Sequence, residues 1–482
     1  MGNLRYRPCC FLGTNRKNHF KMIFFFKINH LCVIIFKNSQ ADCKAERGNG
    51  MERKIMQELV AWREMKKNRM PLLLYGVRQV GKTYILREFG DRYYKNSLYI
   101  NFERMQAAAD FFRGELSPER IIHLLEEYFG QKIIPEETLL IFDEIQACER
   151  ALTSLKYFCE EAPEYHVAAA GSLLGVAIHR ENYSYPVGKV ITKTLYPLGF
   201  DEFLQAMGQR HLVSLIWEHY DKMEEMPQTL HREILYWYDR YLFIGGMPAA
   251  VNQYMERQSL INVPEVQSLI LNAYTADMAK YTGNGESTKI RSAFASMPVQ
   301  LAKENKKFQY KLIRKGATAG LFGDSIAWLI FSGVVLSSER VTRPEAPLIA
   351  FRDVSAFKLY LSDVGLLSAF TRIMPESIIR NELSELYLGA LTENYAAQTL
   401  KSAGYELYYW TSDSPAAEVD FLIQKKGKVV PVEVKSGENV NSRSLKHLQR
   451  LAGPEEMIRL SRKNFGTDGK VRAVPLYAAF CL

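Results

Sequence analysis

Leu72-Leu-Leu-Tyr-Gly-Val-Arg-Gln-Val-Gly-Lys-Thr83 decides how this chain is read. An apolar run with strand character leads into Gly76, Gly81, Lys82 and Thr83 at the spacing G-x-x-x-x-G-K-[ST]. The helical pattern Tyr84-Ile-Leu-Arg-Glu-Phe89 follows. A buried strand, a glycine-rich loop and a helix N-terminus in this order form a phosphate-cradling P-loop. The glycines let the backbone N–H groups of Val77, Arg78, Gln79 and Val80 wrap closely around phosphate oxygens. Lys82 adds positive charge, the Thr83 hydroxyl can ligate Mg²⁺, and the helix presents its positive end. Residues 76–83 are thus the expected nucleotide contacts. The alternative, a chance Gly/Lys turn, lacks the strand and helix that flank the motif here.

Working outward, apolar segments recur at Ser97–Phe102, Thr138–Phe142 and His166–Ala170, separated by helical stretches. This alternation predicts an α/β fold with a mainly parallel sheet and helices on both faces. The segment at Thr138–Phe142 runs on as Leu139-Leu-Ile-Phe-Asp-Glu-Ile-Gln146. Taken alone, an apolar strand ending in two acids is an ordinary strand end. Downstream of a P-loop it reads as a Walker B pattern, with Asp143 on the metal opposite Thr83 and Glu144 polarising the attacking water as general base.

Composition is globular, with 47% hydrophobic and 24% charged residues, and no uncharged apolar run of about 20 residues predicts a membrane span. The net charge of +9 is concentrated. Residues 1–50 hold nine Lys/Arg against Asp42 and Glu46, leaving the remaining 432 residues only slightly basic. The high pI is therefore no argument that the body of the protein binds nucleic acid. Cys9, Cys10, Cys32 and Cys43 fall in the same segment, without the paired spacing of a zinc site. Cys148, Cys159 and Cys481 are scattered, as expected in a reducing cytoplasm. The apolar core of residues 22–36 is broken by Lys27, Asn29 and His30, and no clear cleavage site follows, which disfavours a signal peptide. The expectation is that Met51 is the natural start and that 1–50 is an upstream-translated or disordered extension. Met51-Glu-Arg-Lys would open an amphipathic helix to about Lys67, with Ile55, Leu59 and Trp62 on one face.

These motifs resemble the AAA-type ATPases of bacteria and archaea that carry a poorly characterised C-terminal domain. The likeness runs from about Met51 to near the C-terminus. It includes Thr194-Leu-Tyr-Pro-Leu-Gly-Phe-Asp-Glu-Phe-Leu204, Tyr241-Leu-Phe-Ile-Gly-Gly-Met-Pro248 and Phe357-Lys-Leu-Tyr-Leu-Ser-Asp-Val-Gly-Leu-Leu367. The resemblance implies ATP and Mg²⁺ as cofactors, a cytoplasmic location and assembly into a homo-oligomer. It also implies that Ser172, after the strand 166–170, senses the γ-phosphate; the alternative is a plain turn serine. The family commonly has an Arg where this chain has Lys189. Lysine keeps the charge but loses the bidentate fork, which departs from an arginine-finger reading; Arg180 is a weaker substitute.

The expected organisation is an extension at 1–50, an ATPase domain at 51–204, a helical region at 205–285, a winged-helix-like region at 286–375 and an α/β unit at 376–482. Tyr236, Trp237, Tyr238 and Tyr241 lie at helical spacing, which fits core packing, with base stacking as the alternative. Lys303, Lys306, Lys307, Lys311, Arg314 and Lys315 form a basic cluster, either a solvated face or a DNA contact surface. In the last unit, Asp420, Glu433 and Lys435 have the spacing D-x₁₂-E-x-K, which resembles the PD-(D/E)xK restriction-endonuclease-like core. Residues i and i+2 of a strand share a face, so Glu433 and Lys435 point together, and a hairpin brings Asp420 beside them. Asp420 and Glu433 would hold Mg²⁺ and Lys435 would position water or stabilise charge on a phosphate, with Glu393 on the preceding helix as a further contact. The bland alternative is a half-exposed hairpin, and Val419 stands where classical members often have Pro. DNA or a protein is the expected partner. The chain is expected to be an ATPase that acts on DNA through this unit, or a switch that binds DNA or protein and cleaves nothing.

Overall fold

The computed structural model describes residues 51–482 except 68, 179–184, 281–283, 304–305, 381, 413–416 and 438–442. The expectations for 1–50 and for Arg180 lie outside the described residues. The first helix, α1 (Ile55–Arg63), buries Ile55, Leu59 and Trp62, the face that the sequence marked, and stops one turn short of Lys67.

Strand β1 (Leu72–Tyr75) is followed by the P-loop and α2 (Lys82–Tyr93). Strands β2 (Asn96–Asn101), β3 (Thr138–Asp143), β4 (His166–Ala170) and β5 (Ile191–Thr194) complete a sheet in the order β2-β3-β4-β1-β5. Every pairing in it is parallel. Both faces are covered, so the central strands are continuously apolar; all six residues of β3 are buried. Strand β5 was not among the strands read from apolar runs; only the family resemblance implied a strand after Lys189. It is an edge strand whose alternate side chains face solvent, and Ile-Thr-Lys-Thr has no apolar run to announce it. The order places the carboxyl ends of β1 and β3 on one rim of the sheet with β4 between them.

Residues 200–280 are helical, including α3 (Gln228–Ile244) and α4 (Val263–Lys280). Tyr238 and Tyr241 are buried against Tyr395, so these aromatics pack a core. Tyr236 is exposed, with the Arg240 guanidinium 3.2 Å from its ring centre. Helix α5 (Ala319–Phe331) then leads to a hairpin of β6 (Val335–Val341) and β7 (Arg352–Leu361), and to α6 (Val364–Phe370).

The C-terminal segment contributes α7 (Glu385–Ser402), β8 (Tyr408–Thr411), β9 (Glu418–Lys425), β10 (Lys428–Val434), β11 (Met457–Ser461), β12 (Gly466–Asp468) and β13 (Val471–Pro475). These strands and the β6–β7 hairpin form one eight-stranded sheet, β12-β13-β11-β10-β9-β8-β6-β7. The join is the parallel pairing of β6 with β8, Glu339 opposite Tyr408. The β6–β7 hairpin, which lies in the region expected to be winged-helix-like, is therefore an edge of the C-terminal sheet.

The three stretches quoted for the family likeness meet at one buried junction within the unit Glu52–Leu482. Leu198 N–H donates to Gly246 O at 2.7 Å, and Gly246 N–H donates to Asp363 Oδ2 at 2.6 Å. Asp363 also caps α6 by accepting from Leu366 N–H at 3.0 Å. Gln398 on α7 donates to the Tyr241 hydroxyl, which donates to Leu198 O.

Candidate functional site

Gly76 ends β1 in a backbone conformation (φ 147°) that side chains disfavour, and a Cβ there would lie 2.4 Å from Leu195 O. Glycine at 76 is thus required by close approach as well as by φ. The loop closes on Gly81 (φ 99°), and α2 begins at Lys82. Lys82 Nζ is buried and donates to the carbonyls of Gly76 at 2.7 Å and Val77 at 3.0 Å. Burial lowers its pKa to about 8, against the raising influence of Glu144 and Asp143. The ammonium is held by the loop's own carbonyls.

Thr83 Oγ1 donates to Asp143 Oδ2 at 2.8 Å. The same carboxylate accepts from the Tyr99 hydroxyl at 2.7 Å and from its own neighbour's backbone, Glu144 N–H, at 3.1 Å on Oδ1. Tyr99 lies on β2, and its part was missed in the sequence. A polar ring at Tyr99 in Ser97-Leu-Tyr-Ile-Asn101 is the one signal that could have marked it. A hydroxyl and a buried carboxylate 2.8 Å apart, both hard oxygen donors, fit Mg²⁺.

Glu144 sits in the left-handed region (φ 49°), an uncommon and costly state for a non-glycine residue. Its carboxylate accepts from Ser172 Oγ at 3.0 Å and from Gln146 Nε2 at 2.6 Å. Ser172 is thus brought to the carboxylate of Glu144, and Gln146 is an orienting partner that the sequence did not reveal. Lys189 is ion-paired with Glu160 at 2.9 Å, and both side chains are more than one-third exposed.

Two residues tie the loop to other elements. Arg53 is buried; it donates to Val80 O at 3.3 Å and pairs with Glu202 at 3.2 Å. Arg78 is ion-paired with Asp277 on α4, and the Tyr274 hydroxyl on α4 donates to Arg78 O at 3.3 Å.

The C-terminal residues also come together. Asp420 Oδ2 on β9 accepts from Val434 N–H on β10 at 2.8 Å, and Lys435 Nζ lies 3.3 Å from Glu433 Oε1. Glu433 is buried rather than on a half-exposed hairpin. Glu393 on α7 is buried too, and its carboxylate is occupied. It pairs with Lys306, lies 3.2 Å from Lys358 Nζ and accepts from the Tyr360 hydroxyl at 2.6 Å. Lys358, only 1% exposed, also pairs with Glu418 at 2.5 Å. Burial opposes its charge, but Glu393, Glu418 and Asp420 outweigh this and hold its pKa above the usual lysine value. Burial and the Glu393 charge push Asp420 up. Lys306 therefore leaves the surface basic cluster and faces inward, whereas Lys311, Arg314 and Lys315 are exposed. Lys358 was missed in the sequence, although a lone Lys within Phe357-Lys-Leu-Tyr-Leu361 breaks an otherwise apolar strand. Among the described residues, no group of three or more His, Cys, Asp or Glu side chains is placed to hold a metal ion. Lysines stand beside two of these carboxylates, Lys306 and Lys358 at Glu393 and Lys435 at Glu433.

Residues 68–204 match the family model described as AAA domain. Residues 235–377 and 388–479 match two models described as domains of unknown function, DUF8612 and DUF4143. No curated protein matches the chain. Similar solved structures include the Walker-type ATPase PABY2304 of Pyrococcus abyssi, 14% identical, covering 67% of this chain and 96% of that one, TM-score 0.40. The ORC2 protein of Aeropyrum pernix in ADPNP–ADP complexes is 13% identical, covering 69% and 95%, TM-score 0.33. At these scores the AAA match and the site's own geometry define the P-loop ATPase fold, and the overall likeness adds nothing to them. Among the described residues, no helix is long and apolar enough to cross a membrane.

Proposed function

We propose that the chain is a cytoplasmic, Mg²⁺-dependent ATP hydrolase that works as a nucleotide-driven switch on a DNA or protein partner, as a homo-oligomer. The observation that carries this is the convergence of Lys82, Thr83, Asp143, Glu144 and Ser172 at one rim of the parallel sheet. The loop amides of residues 77–81 and the Lys82 ammonium bind the phosphates. Thr83 and Asp143 would hold Mg²⁺, which supplies charge neutralisation when bound. Glu144 takes the proton of the attacking water. Its hydrogen bonds to Ser172 and Gln146 keep it oriented, and both oxygens retain a lone pair to accept from that water.

For the C-terminal unit, the reading we favour is binding without cleavage. What supports it is the occupation of the Glu393 carboxylate by Lys306 and Lys358, where an open cation site would leave acids uncompensated. The test uses the full chain with Mg²⁺ or Mn²⁺, with and without plasmid and linear DNA. ATP turnover is expected, and Lys82→Ala or Glu144→Gln abolishes it. DNA is expected to stay intact. A turnover unaffected by both variants would remove the ATPase reading, and cleavage lost in Lys435→Ala would remove the non-cleaving one.

A further inference from the structure

Arg78 is the side chain at the tip of the phosphate loop, between Gly76 and Gly81, yet it points away to a partner from another part of the chain. That partner, Asp277, is buried on α4, about 200 residues downstream in sequence. The pairing is one of several ties between this helix and the nucleotide site. One turn earlier, Tyr274 is buried and donates to the Arg78 carbonyl at 3.3 Å; one turn later, Lys280 pairs with Glu103 beyond β2. Tyr274 also lies 3.9 Å from Met247 Sδ, and Pro248 follows immediately, 3.8 Å from where a Cβ on Gly81 would stand. Helix α4 is therefore seated on the loop through the loop's one arginine.

The charges make this seat sensitive to what enters the loop. Asp277 raises the pKa of Lys82, and Glu144 raises that of Asp277, so the three groups share one field. In the free protein Asp277 competes for cationic charge that a triphosphate would use. Burial costs its carboxylate more than Arg78 gives back, so its pKa stays raised. A bound triphosphate adds several negative charges next to this pair. It repels Asp277 and attracts Arg78, whose fork suits phosphate oxygens as well as carboxylate.

We propose that Asp277 is a positioning residue of the nucleotide site: it holds Arg78 off the phosphates in the free protein and yields it to an entering triphosphate, loosening α4. This rests on the nucleotide reading above and names how that site is read by the helical region.

The test measures equilibrium binding of fluorescent, non-hydrolysable ATP and of ADP to the full chain with Mg²⁺. Asp277→Asn is expected to bind the triphosphate about tenfold more tightly, with a smaller gain for the diphosphate, as removing one nearby unit charge implies. Asp277→Glu should restore wild-type values, and in Arg78→Ala the gain from Asp277→Asn should shrink to the part that relief of direct repulsion supplies. A general structural role for Asp277 would not shift the triphosphate-to-diphosphate ratio in this direction. Hydrogen exchange on the wild type gives a second readout that needs no variant: amides of 271–280 should exchange faster with the triphosphate bound. Unchanged or weaker triphosphate binding by Asp277→Asn, or slower exchange there, overturns the proposal while leaving nucleotide binding intact. No nucleotide binding by the wild type overturns the underlying reading and this one with it.

Discussion

Lys82 is where burial, charge and sequence motif act on one atom. Its ammonium is buried, held by two loop carbonyls, and its pKa is lowered to about 8. The sign of the consequence follows from which form binds phosphate. Below pH 8 the free protein already carries the proton, so nucleotide affinity is flat there. Above it, the free protein loses the proton that the bound state keeps, so binding must take one up and affinity falls, at most about tenfold per pH unit. Titration calorimetry at pH 9 in buffers of different ionisation enthalpy should show uptake of close to one proton, with none at pH 7; no uptake at pH 9 would contradict this account. The residues of this loop were legible because each chemical task needs a particular side chain at a particular offset. Tyr99 was not, because it acts through Asp143 from a strand that only the sheet brings close, and Gln146 was not, because the tight turn after Glu144 that folds it back leaves no pattern in the sequence.

Among the elements, β7 shows how one residue can bind a sheet to a helix. Lys358 reaches Glu393 on α7 and Glu418 on β9, joining the hairpin to the C-terminal strands. At 1% exposure its ammonium has no water to fall back on, nor does Glu393. Lys358→Met keeps the volume and removes the charge, leaving the buried Glu393 carboxylate with Lys306 alone and the part-exposed Glu418 without this partner, with an expected loss of roughly 3 kcal/mol. Adding Glu393→Gln should recover part of it, since the second change removes the under-compensated buried charge. Urea unfolding of the single and double variants measures both, and a double variant no more stable than Lys358→Met would deny the coupling. The sequence made β9 and β10 readable through alternation and a Lys-Lys-Gly-Lys turn, and β1, β3 and β4 through apolar runs. It could not show that β6 pairs with β8, because non-local pairing leaves no period in the chain. Edge strand β5 was hidden for a related reason: half of its side chains meet water, so its four residues resemble a loop.

For the molecule as a whole, the decisive contacts are those that pass between the AAA region and the rest. Gly246 is hydrogen-bonded on both sides of its peptide, to Leu198 after β5 and to Asp363 before α6. A Cβ on Gly246 would stand 2.1 Å from Leu198 O and 2.7 Å from Leu198 N, both backbone atoms that cannot rotate away. Gly246→Ala must therefore move one of the two chains. The expected cost is roughly 1–3 kcal/mol, the usual scale for overpacking. Gly389, inside α7, is the matched control: nothing lies within 4 Å of an added Cβ, and helix propensity favours alanine there by about 1 kcal/mol. The two substitutions should thus shift thermal stability in opposite directions. They should also differ in function. Gly246 is followed by Met247 and Pro248, which lie against Tyr274 and the Gly81 position, so displacement at Gly246 is passed to the phosphate loop. Gly246→Ala should weaken nucleotide binding as well as lowering Tm, while Gly389→Ala leaves the affinity unchanged. If Gly246→Ala lowered Tm with no change in affinity, the junction would hold the fold together without carrying the loop's geometry.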